Sequence, residues 1–474
     1  MDATKETPPE VAAAIKGLHV VSSHETPRWL FSDEKGNEKV NAPMLGYEIM
    51  KEVPMIRSKL IPLGARYDKT IGAWRLGDLG DFLEAYITKK LESVHKWSIQ
   101  KMGETKKFIL IKTFDGGMTE NPFDESDPAL VNFKNGTFNL RTMKMQPHNS
   151  KDYILQYHDY VLPTDAMSKL PPKTNAWLLA LTGDDPNAVE FLYEMLGFCF
   201  YRSYDMYQTI TILKGDGGNG KSKFLSYVQK VLGSANVSNE SLDALGNKDN
   251  RFASSNLYQK EANIFADIAD NFVQSTGLLK TLSGADKTDA EFKGQNAFSF
   301  RNFAKLIFSG NKLPAFADFT DGFERRLYVV PFPTKIDDAF IAAHQLPEIY
   351  EEISQAAAYS LYAFNQRMKV NPKRLTESGP MLAAKNKWLK DANSVARFVE
   401  ECCHIDPADD AGDSSQYLYE KYKEYCTNEG SRILSQPKFT SRLETLHINK
   451  ANPRINGQRM KRYMHLVYDG DQND

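Results

Sequence analysis

Residues Thr209–Gly233, TITILKGDGGNGKSKFLSYVQKVLG, set a glycine-rich loop between two apolar stretches. Thr209–Leu213 alternates as a half-buried strand does. Lys221–Leu232 places Phe224, Leu225, Val228 and Leu232 at helical spacing, with Gly233 where a helix C-cap belongs. Between them runs Gly215-x-x-x-x-Gly220-Lys221-Ser222. A strand, a loop nearly bare of side chains and a helix, in that order, suit a phosphate ligand. Glycines let backbone N–H groups wrap phosphate oxygens, and the helix N-terminus adds partial positive charge. The loop Gly215, Asp216, Gly217, Gly218, Asn219, Gly220, Lys221 and Ser222 therefore reads as an ATP-binding loop, with Lys221 reaching the β- and γ-phosphates and the Ser222 hydroxyl on Mg²⁺. The bland alternative is a glycine-rich turn, which needs neither the strand before it nor the helix after it.

A chain of 474 residues has room for roughly two to four domains. Its hydrophobic fraction of 41% and charged fraction of 25% are those of a soluble globular protein. The net charge of −2 means that any surface for nucleic acid must be local. The four cysteines, Cys199, Cys402, Cys403 and Cys426, form no C-x-x-C pair. Adjacent Cys402, Cys403 and His404 lack the spacing of structural zinc ligands and read as buried thiols on a helix face. The polar N-terminus MDATKETPPEV and the lack of any apolar run of membrane-spanning length predict neither export nor insertion, and with the thiols point to a reducing cytoplasm.

Five regions are expected. Residues 1–125 form a mixed N-terminal domain, with a hairpin in RYDKTIGAWRL and a helix through Phe82, Leu83, Tyr86, Ile87 and Leu91. Residues 126–205 hold a second hairpin turning at Asn135-Gly136, then helices, one of them capped at Asp184-Asp185-Pro186. Residues 206–335 alternate strand and helix signals, which predicts a mainly parallel sheet with helices on both faces. Helices dominate residues 336–391. Residues 392–474 read as three helices and a hairpin closed by Asn456-Gly457, a winged-helix order. Basic residues cluster late in this tail, at Arg432, Lys438, Arg442, Lys450, Arg454, Arg459, Lys461 and Arg462. They are either a solvated basic face or a DNA-binding surface on the third helix and wing, and Lys438, Arg442, Arg459, Lys461 and Arg462 are the candidates for contact.

Hydrolysis needs an acid near the metal, a group sensing the γ-phosphate, and positive charge for the transition state. EANIFADIAD supplies a short strand ending at Asp267, with Asp270 one turn on; Asp267 holds the Mg²⁺ shell or orients water, or merely caps a helix. FAKLIFSGN is a second buried strand tipped by Asn311, and DGFERRLYVVPF opens a third with Arg325 and Arg326. Successive strand residues point to opposite faces, so one arginine can serve an interface while the other pairs internally, for instance with Asp321 or Glu324.

Gly215–Phe332, with GDGGNGKS, ANIFADI, LLKTLSGADKTDAEFKG, KLIFSGNKLP and ERRLYVVPF in order, resembles superfamily 3 helicases of the phage and plasmid primase-helicase branch related to the poxvirus D5 protein. NFKNGTFNL and FLYEMLGFCFYR resemble the region ahead of the ATPase in that branch, and the tail fits as well. The resemblance implies an α/β AAA+-like P-loop core in a ring, usually a hexamer, with residues 126–205 as its oligomerisation collar. Such a ring uses ATP and Mg²⁺ to move along single-stranded DNA and unwind duplex. By position, Lys221 and Ser222 match the first motif, Asp267 the second, Lys293 the DNA-contacting hairpin, Asn311 the sensor, and Arg325/Arg326 the finger acting on a neighbour's ATP. Two departures stand out. Ala266 precedes Asp267 where relatives often carry paired acids, so Asp270 stays in play as the water-activating group. Many relatives also carry a primase domain, yet Asp33-Glu34 and GDLGDFLEAY offer no paired carboxylates at a strand end, so any primase is expected to be a separate partner.

The residues around Lys293 support its role independently. SGADKTDAEFKGQNAFSF is polar and glycine-containing, which suits a projecting hairpin or an ordinary surface loop. A ring of such lysines would face backbone phosphates, and Phe292 would stack a base of any sequence. The leading expectation is a phage- or mobile-element-encoded replicative helicase. An origin-binding initiator or loader is the alternative. A small-molecule kinase fits the tail poorly, and a packaging motor lacks its nuclease-like acidic cluster.

Overall fold

The computed structural model describes residues 27–470 apart from 248–249, 269–275, 295, 312–320, 392, 407–411, 431–432, 453 and 456–457. Asp270, Arg432 and the Asn456-Gly457 turn lie outside the described residues.

The N-terminal helices Ala42–Glu52, Leu79–Glu92 and Ile99–Lys112 pack around Trp29, Leu45, Ile49, Leu83, Ile87 and Ile109. Asp78 starts the second by accepting from the Gly80 N–H, and the predicted stripe Phe82, Leu83, Tyr86, Ile87 and Leu91 is its buried face. Ala65–Asp68 and Ala73–Leu76 form the expected antiparallel hairpin, which Met55–Ile56 widens to three strands. Leu130–Phe133 and Gly136–Asn139 form the second hairpin. Gly136 sits at φ 142°, and a Cβ there would meet the Gln146 carbonyl oxygen at 2.6 Å, so only glycine fits this turn.

Asp185 caps Pro186–Phe200, accepting from the N–H groups of Asn187 and Ala188. This helix is buried from Val189 through Phe200 except at Glu190, which is why it is mostly apolar, its buried Glu194 accepting from the Thr376 N–H and hydroxyl. It lies along Ile353–Val370. The two approach so closely that a Cβ on Gly197 would stand 2.1 Å from the Ser360 carbonyl oxygen.

The core sheet has five parallel strands in the order Val237–Ser238, Ala262–Phe265, Lys305–Gly310, Ile210–Lys214, Leu327–Pro331. Alternate residues feed two different cores. Leu213, Ile264, Ile307, Tyr328 and Val330 face one, and Ile210, Ile212, Leu306, Phe308, Leu327 and Val329 face the other. Ile210–Lys214 is therefore a central strand covered on both faces, not the half-buried strand its alternation predicts. Even Thr211 is 1% exposed, because helices on the second face also exclude water.

In the tail, helices Ser394–Cys402, Ser415–Asn428 and Gln436–Thr445 precede short paired strands. The helical reading of Cys402–Cys403 ends one residue early: Cys403–Ile405 is a strand, antiparallel to Leu466–Tyr468, and its Cys403 is buried. Phe398, Tyr422, Phe439 and Tyr463 make the centre of a core drawn wholly from residues 395–466. Among the described residues, no helix is long and apolar enough to cross a membrane.

Candidate functional site

The loop after Ile210–Lys214 turns through left-handed backbone at Gly217, Gly218 and Gly220 (φ 99°, 64° and 79°) before the helix Lys221–Leu232 begins. Outward space above Gly218 is open to 4 Å, whereas a Cβ on Gly215 would strike Asn219 at 2.3 Å. The loop is pinned from outside by the Ile336 N–H donating to the Gly218 carbonyl at 2.9 Å. Lys221 is 7% exposed and folds back over the loop. Its Nζ donates to the Gly215 carbonyl at 2.7 Å, to Asn219 Oδ1 at 2.7 Å and to Asn311 Oδ1 at 3.0 Å. Burial lowers its pKa, opposed by the negative charges of Asp216 and Asp267.

Parallel register brings the acid and the sensor to the same edge. Phe265 pairs with Phe308, and Gly310 pairs with Lys214, so Asp267 and Asn311 both follow strands ending level with the loop. The Asn311 strand lies between the other two, which sets the acid's strand two spacings, about 9.6 Å, from that of the loop. Asp267 itself is in left-handed backbone, φ 61°, a conformation aspartate tolerates better than most residues. Ser309 holds that turn: its carbonyl accepts from the Ile268 N–H at 2.7 Å and its Oγ from the Asp267 N–H at 3.4 Å. Gly217–Lys223, Asp267, Ser309, Gly310 and Asn311 line one polar cleft of about 400 Å³. Ser222 and Asp267 both face it, so a hydroxyl and a carboxylate are available to a hard divalent cation. A cationic amine, a glycine cradle and a helix N-terminus at the same cleft fit a polyphosphate.

Two residues support the site in ways the sequence did not show. Asn219 does more than line the loop: its Nδ2 donates to the Phe332 carbonyl at 2.9 Å while its Oδ1 accepts from Lys221, tying the loop to the neighbouring strand. Ser309 carried no motif signal beyond lying two residues ahead of Asn311.

The arginine pair is elsewhere. Leu327 pairs with Ile210 and Pro331 with Lys214, so Arg325 and Arg326 sit at the sheet edge opposite the phosphate loop. Five residues of strand from Arg326 to Pro331 span about 16 Å. The two also differ in exposure. Arg326 is 8% exposed, bonds the Gly322 carbonyl, and has its pKa lowered by burial and by Arg325, with Asp286 opposing. Arg325 is exposed and donates to Gln208 Oε1 at 3.5 Å.

Lys287–Ala290 and Phe298–Arg301 form the expected antiparallel hairpin, with Lys293 exposed at its turn beside Gly294 at φ 77°. Phe292 does not project with it. Its ring stacks on Phe298 with centroids 5.1 Å apart and meets Tyr258 edge-on, so one face is already taken by the hairpin's own packing. In the tail, Lys438, Arg459 and Lys461 are exposed and Arg442 is partly buried. Arg462 is turned inward, donating to the Gly412 carbonyl.

Residues 10–197 match the family described as D5 N terminal like, and residues 390–470 match the poxvirus D5 protein-like family. Between them, residues 213–326 match a family of unknown function, DUF5906. Protein 121R of Invertebrate iridescent virus 3, which bears a helicase name, is 23% identical over 241 residues, 48% of this chain and 25% of that protein. Protein L207/L206 of Acanthamoeba polyphaga mimivirus, also helicase-named, is 25% identical over 214 residues, 44% of this chain and 22% of its own length. The matched part is thus about a quarter of these curated relatives. Among solved structures, the apo NrS-1 C-terminal region is similar at TM-score 0.46 and 14% identity, covering 89% of this chain and 98% of that one. D5-like family models thus match this chain on both sides of its phosphate-loop core.

Proposed function

We propose that this chain is the subunit of an ATP-driven replicative DNA helicase, a ring, hexameric by its resemblance, that moves along single-stranded DNA and unwinds duplex. The observation that carries the reading is a separation. Lys221, Ser222, Asp267 and Asn311 line one cleft, while Arg325, the exposed arginine of the family's finger motif, lies beyond the opposite end of the strand Leu327–Pro331. A site of this kind is complete only when a second subunit brings its Arg325 to the cleft.

In this reading the loop N–H groups and Lys221 hold the β- and γ-phosphates, and Ser222 and Asp267 would hold Mg²⁺, which when bound neutralises charge on the phosphate oxygens. Asn311 gives up its bond to Lys221 and senses the γ-phosphate. Asp267, or Asp270, orients the attacking water. Arg325 from the neighbour stabilises charge on the transferring phosphoryl group. Lys293, at the exposed hairpin turn, contacts the DNA backbone. The source is a phage or related mobile element, the site of action the host cytoplasm, and any primase a separate partner.

Strand displacement on a forked substrate, with ATP and Mg²⁺, tests the reading: wild type unwinds and Lys221→Ala does not. The exposed Lys438, Arg459 and Lys461 on a winged-helix-like tail also favour a second reading, an origin-binding initiator or loader. Nucleotide hydrolysis and duplex binding without strand displacement on any substrate would select it.

A further inference from the structure

We propose that the outer face of the helix pair Ala42–Glu52 and Ile99–Lys112 is a docking site for an acidic segment of a partner protein, one that carries bulky apolar side chains beside its carboxylates. None of its residues belongs to the nucleotide cleft or to the hairpin of Lys293. The two helices meet so closely that a Cβ on Gly46 would stand 2.6 Å from the Phe108 ring. Outside that contact the seam is apolar and open: Tyr47 is 55% exposed, Ile111 is 63% exposed, and Met44 and Phe114 are exposed as well. Tyr47 meets Phe108 edge-on with centroids 5.1 Å apart, so the patch is continuous across both helices. Ile111 lies one turn beyond Phe108 on the same face. Of the eighteen exposed large apolar side chains among the described residues, eight fall between Phe31 and Phe114, which marks this module as one that meets another surface.

Charge selects the partner. Elsewhere in the module lysines are matched, Lys90 with Glu48 and Glu52 at 3.2 and 2.6 Å and Lys101 with Glu104 at 2.8 Å. Lys51, Lys107 and Lys112 are exposed and have no ion pair among the described residues. Each stands four positions along its helix from a side chain of the patch: Tyr47, Ile111 and Phe108 respectively. From Ala42 to Phe114 the chain carries thirteen lysines and arginines against eight acids, although its whole net charge is −2. Unpaired ammoniums around an apolar floor complement carboxylates around an apolar side chain.

A nucleic acid suits the face less well. Phe108 is taken by Tyr47 and by Lys112 Nζ, 5.9 Å from its centroid. Phe114 is covered by the Arg57 guanidinium, 6.0 Å from its centroid and held by donating to the Leu110 carbonyl at 2.8 Å. Met44 and Ile111 offer no flat ring on which a base could stack.

Fluorescence anisotropy on the full chain tests this, with labelled Asp-Asp-Asp-Asp-Leu-Phe-Leu and labelled oligothymidylate as probes. Wild type should bind the peptide, more weakly as salt rises. Ile111→Ser removes the apolar floor and keeps every charge, so it should weaken the peptide about tenfold and leave oligothymidylate unchanged. Lys112→Glu should weaken the peptide by a similar factor. Both positions are exposed, so neither change should lower the melting temperature. Wild type that fails to bind the peptide at about 1 mM, or peptide affinity unchanged in both variants, overturns the proposal. Loss of oligothymidylate binding alone in Lys112→Glu gives the face to nucleic acid and overturns it too. So does a smaller sedimenting species for peptide-free Ile111→Ser than for wild type, which would make a second copy of this chain the occupant.

Discussion

Lys221 Nζ donates to Asn311 Oδ1 at 3.0 Å, joining residues 90 positions apart in the chain. One opens the helix after the phosphate loop, and the other tips the adjacent strand. A buried ammonium needs acceptors, and Asn311, Asn219 and the Gly215 carbonyl serve. An incoming phosphate competes for the same ammonium, which frees Asn311.

Lys221→Ala is expected to reduce ATP hydrolysis at least ~10²-fold, because its charge is directed only at the cleft. Phosphate release measures the loss, and an unchanged circular dichroism spectrum shows that the fold survives. Asn311→Ala should lower kcat more than it raises KM. Equal hydrolysis by wild type and Lys221→Ala would mean that the loop holds no reacting phosphate.

Arg325→Ala and Arg326→Ala should part company. Arg325 is exposed, so its removal leaves the melting temperature unchanged and lowers hydrolysis by ~10³-fold or more. Arg326 is buried and bonded to Gly322, so its removal lowers the melting temperature as well. Mixing Arg325→Ala with Lys221→Ala subunits should restore part of the activity, since some junctions then carry both groups. No recovery at any ratio, with subunit exchange demonstrated, would sink the assignment in trans.

Lys293→Ala should bind nucleotide normally and retain basal hydrolysis while losing stimulation by single-stranded DNA and unwinding. Phe292→Ala is expected to behave differently. Its ring packs on Phe298 and Tyr258, so the variant loses thermal stability by about 1–3 kcal/mol. Thermal melts and hydrolysis with and without DNA separate the two.

Residues from about 392 onward should fold alone, given a core drawn wholly from 395–466, and bind duplex DNA weakly as salt rises. Lys461→Ala should flatten the slope of log affinity against log salt by about 1, whereas Arg462→Ala, whose side chain is turned toward Gly412, should act mainly through stability. An isolated tail that shows no binding at low salt is not a DNA module.

Lys305 is 1% exposed, donates to the Tyr201 and Phe303 carbonyls at 2.7 Å each, and faces the rings of Phe198 and Tyr204. Burial pulls its pKa down to about 7. Between pH ~7 and the ordinary lysine value near ~10.4 the unfolded chain then holds the extra proton, so stability rises with pH in that window by up to about 1.4 kcal/mol per unit. Below pH ~7 both states are protonated and the contribution is flat. Lys305→Met should remove the slope, as read from melting temperatures at pH 6, 7, 8 and 9. A wild-type-minus-variant difference that is constant across that range would show that the ammonium stays charged inside.

The phosphate loop, its flanking strand and helix, the Asp185 cap, the Asn135-Gly136 turn and the amphipathic stripe of Leu79–Glu92 were all legible from residues alone. Each is set by interactions within a few positions: backbone torsions, capping and periodicity. What neighbours what across the sheet was decided only by the tertiary structure. Interleaving the Asn311 strand between those of the loop and Asp267 made Asn311 the partner of Lys221. The same parallel register carried Arg325 to the far edge and, by burying Arg326, distinguished two arginines that sequence leaves equivalent. Packing also turned Phe292 into the hairpin's anchor and Arg462 toward Gly412. Local sequence specifies torsions and faces. Pairing between segments a hundred residues apart is settled by which arrangement buries the most apolar surface while bonding every buried polar group, and that is a property of the whole chain.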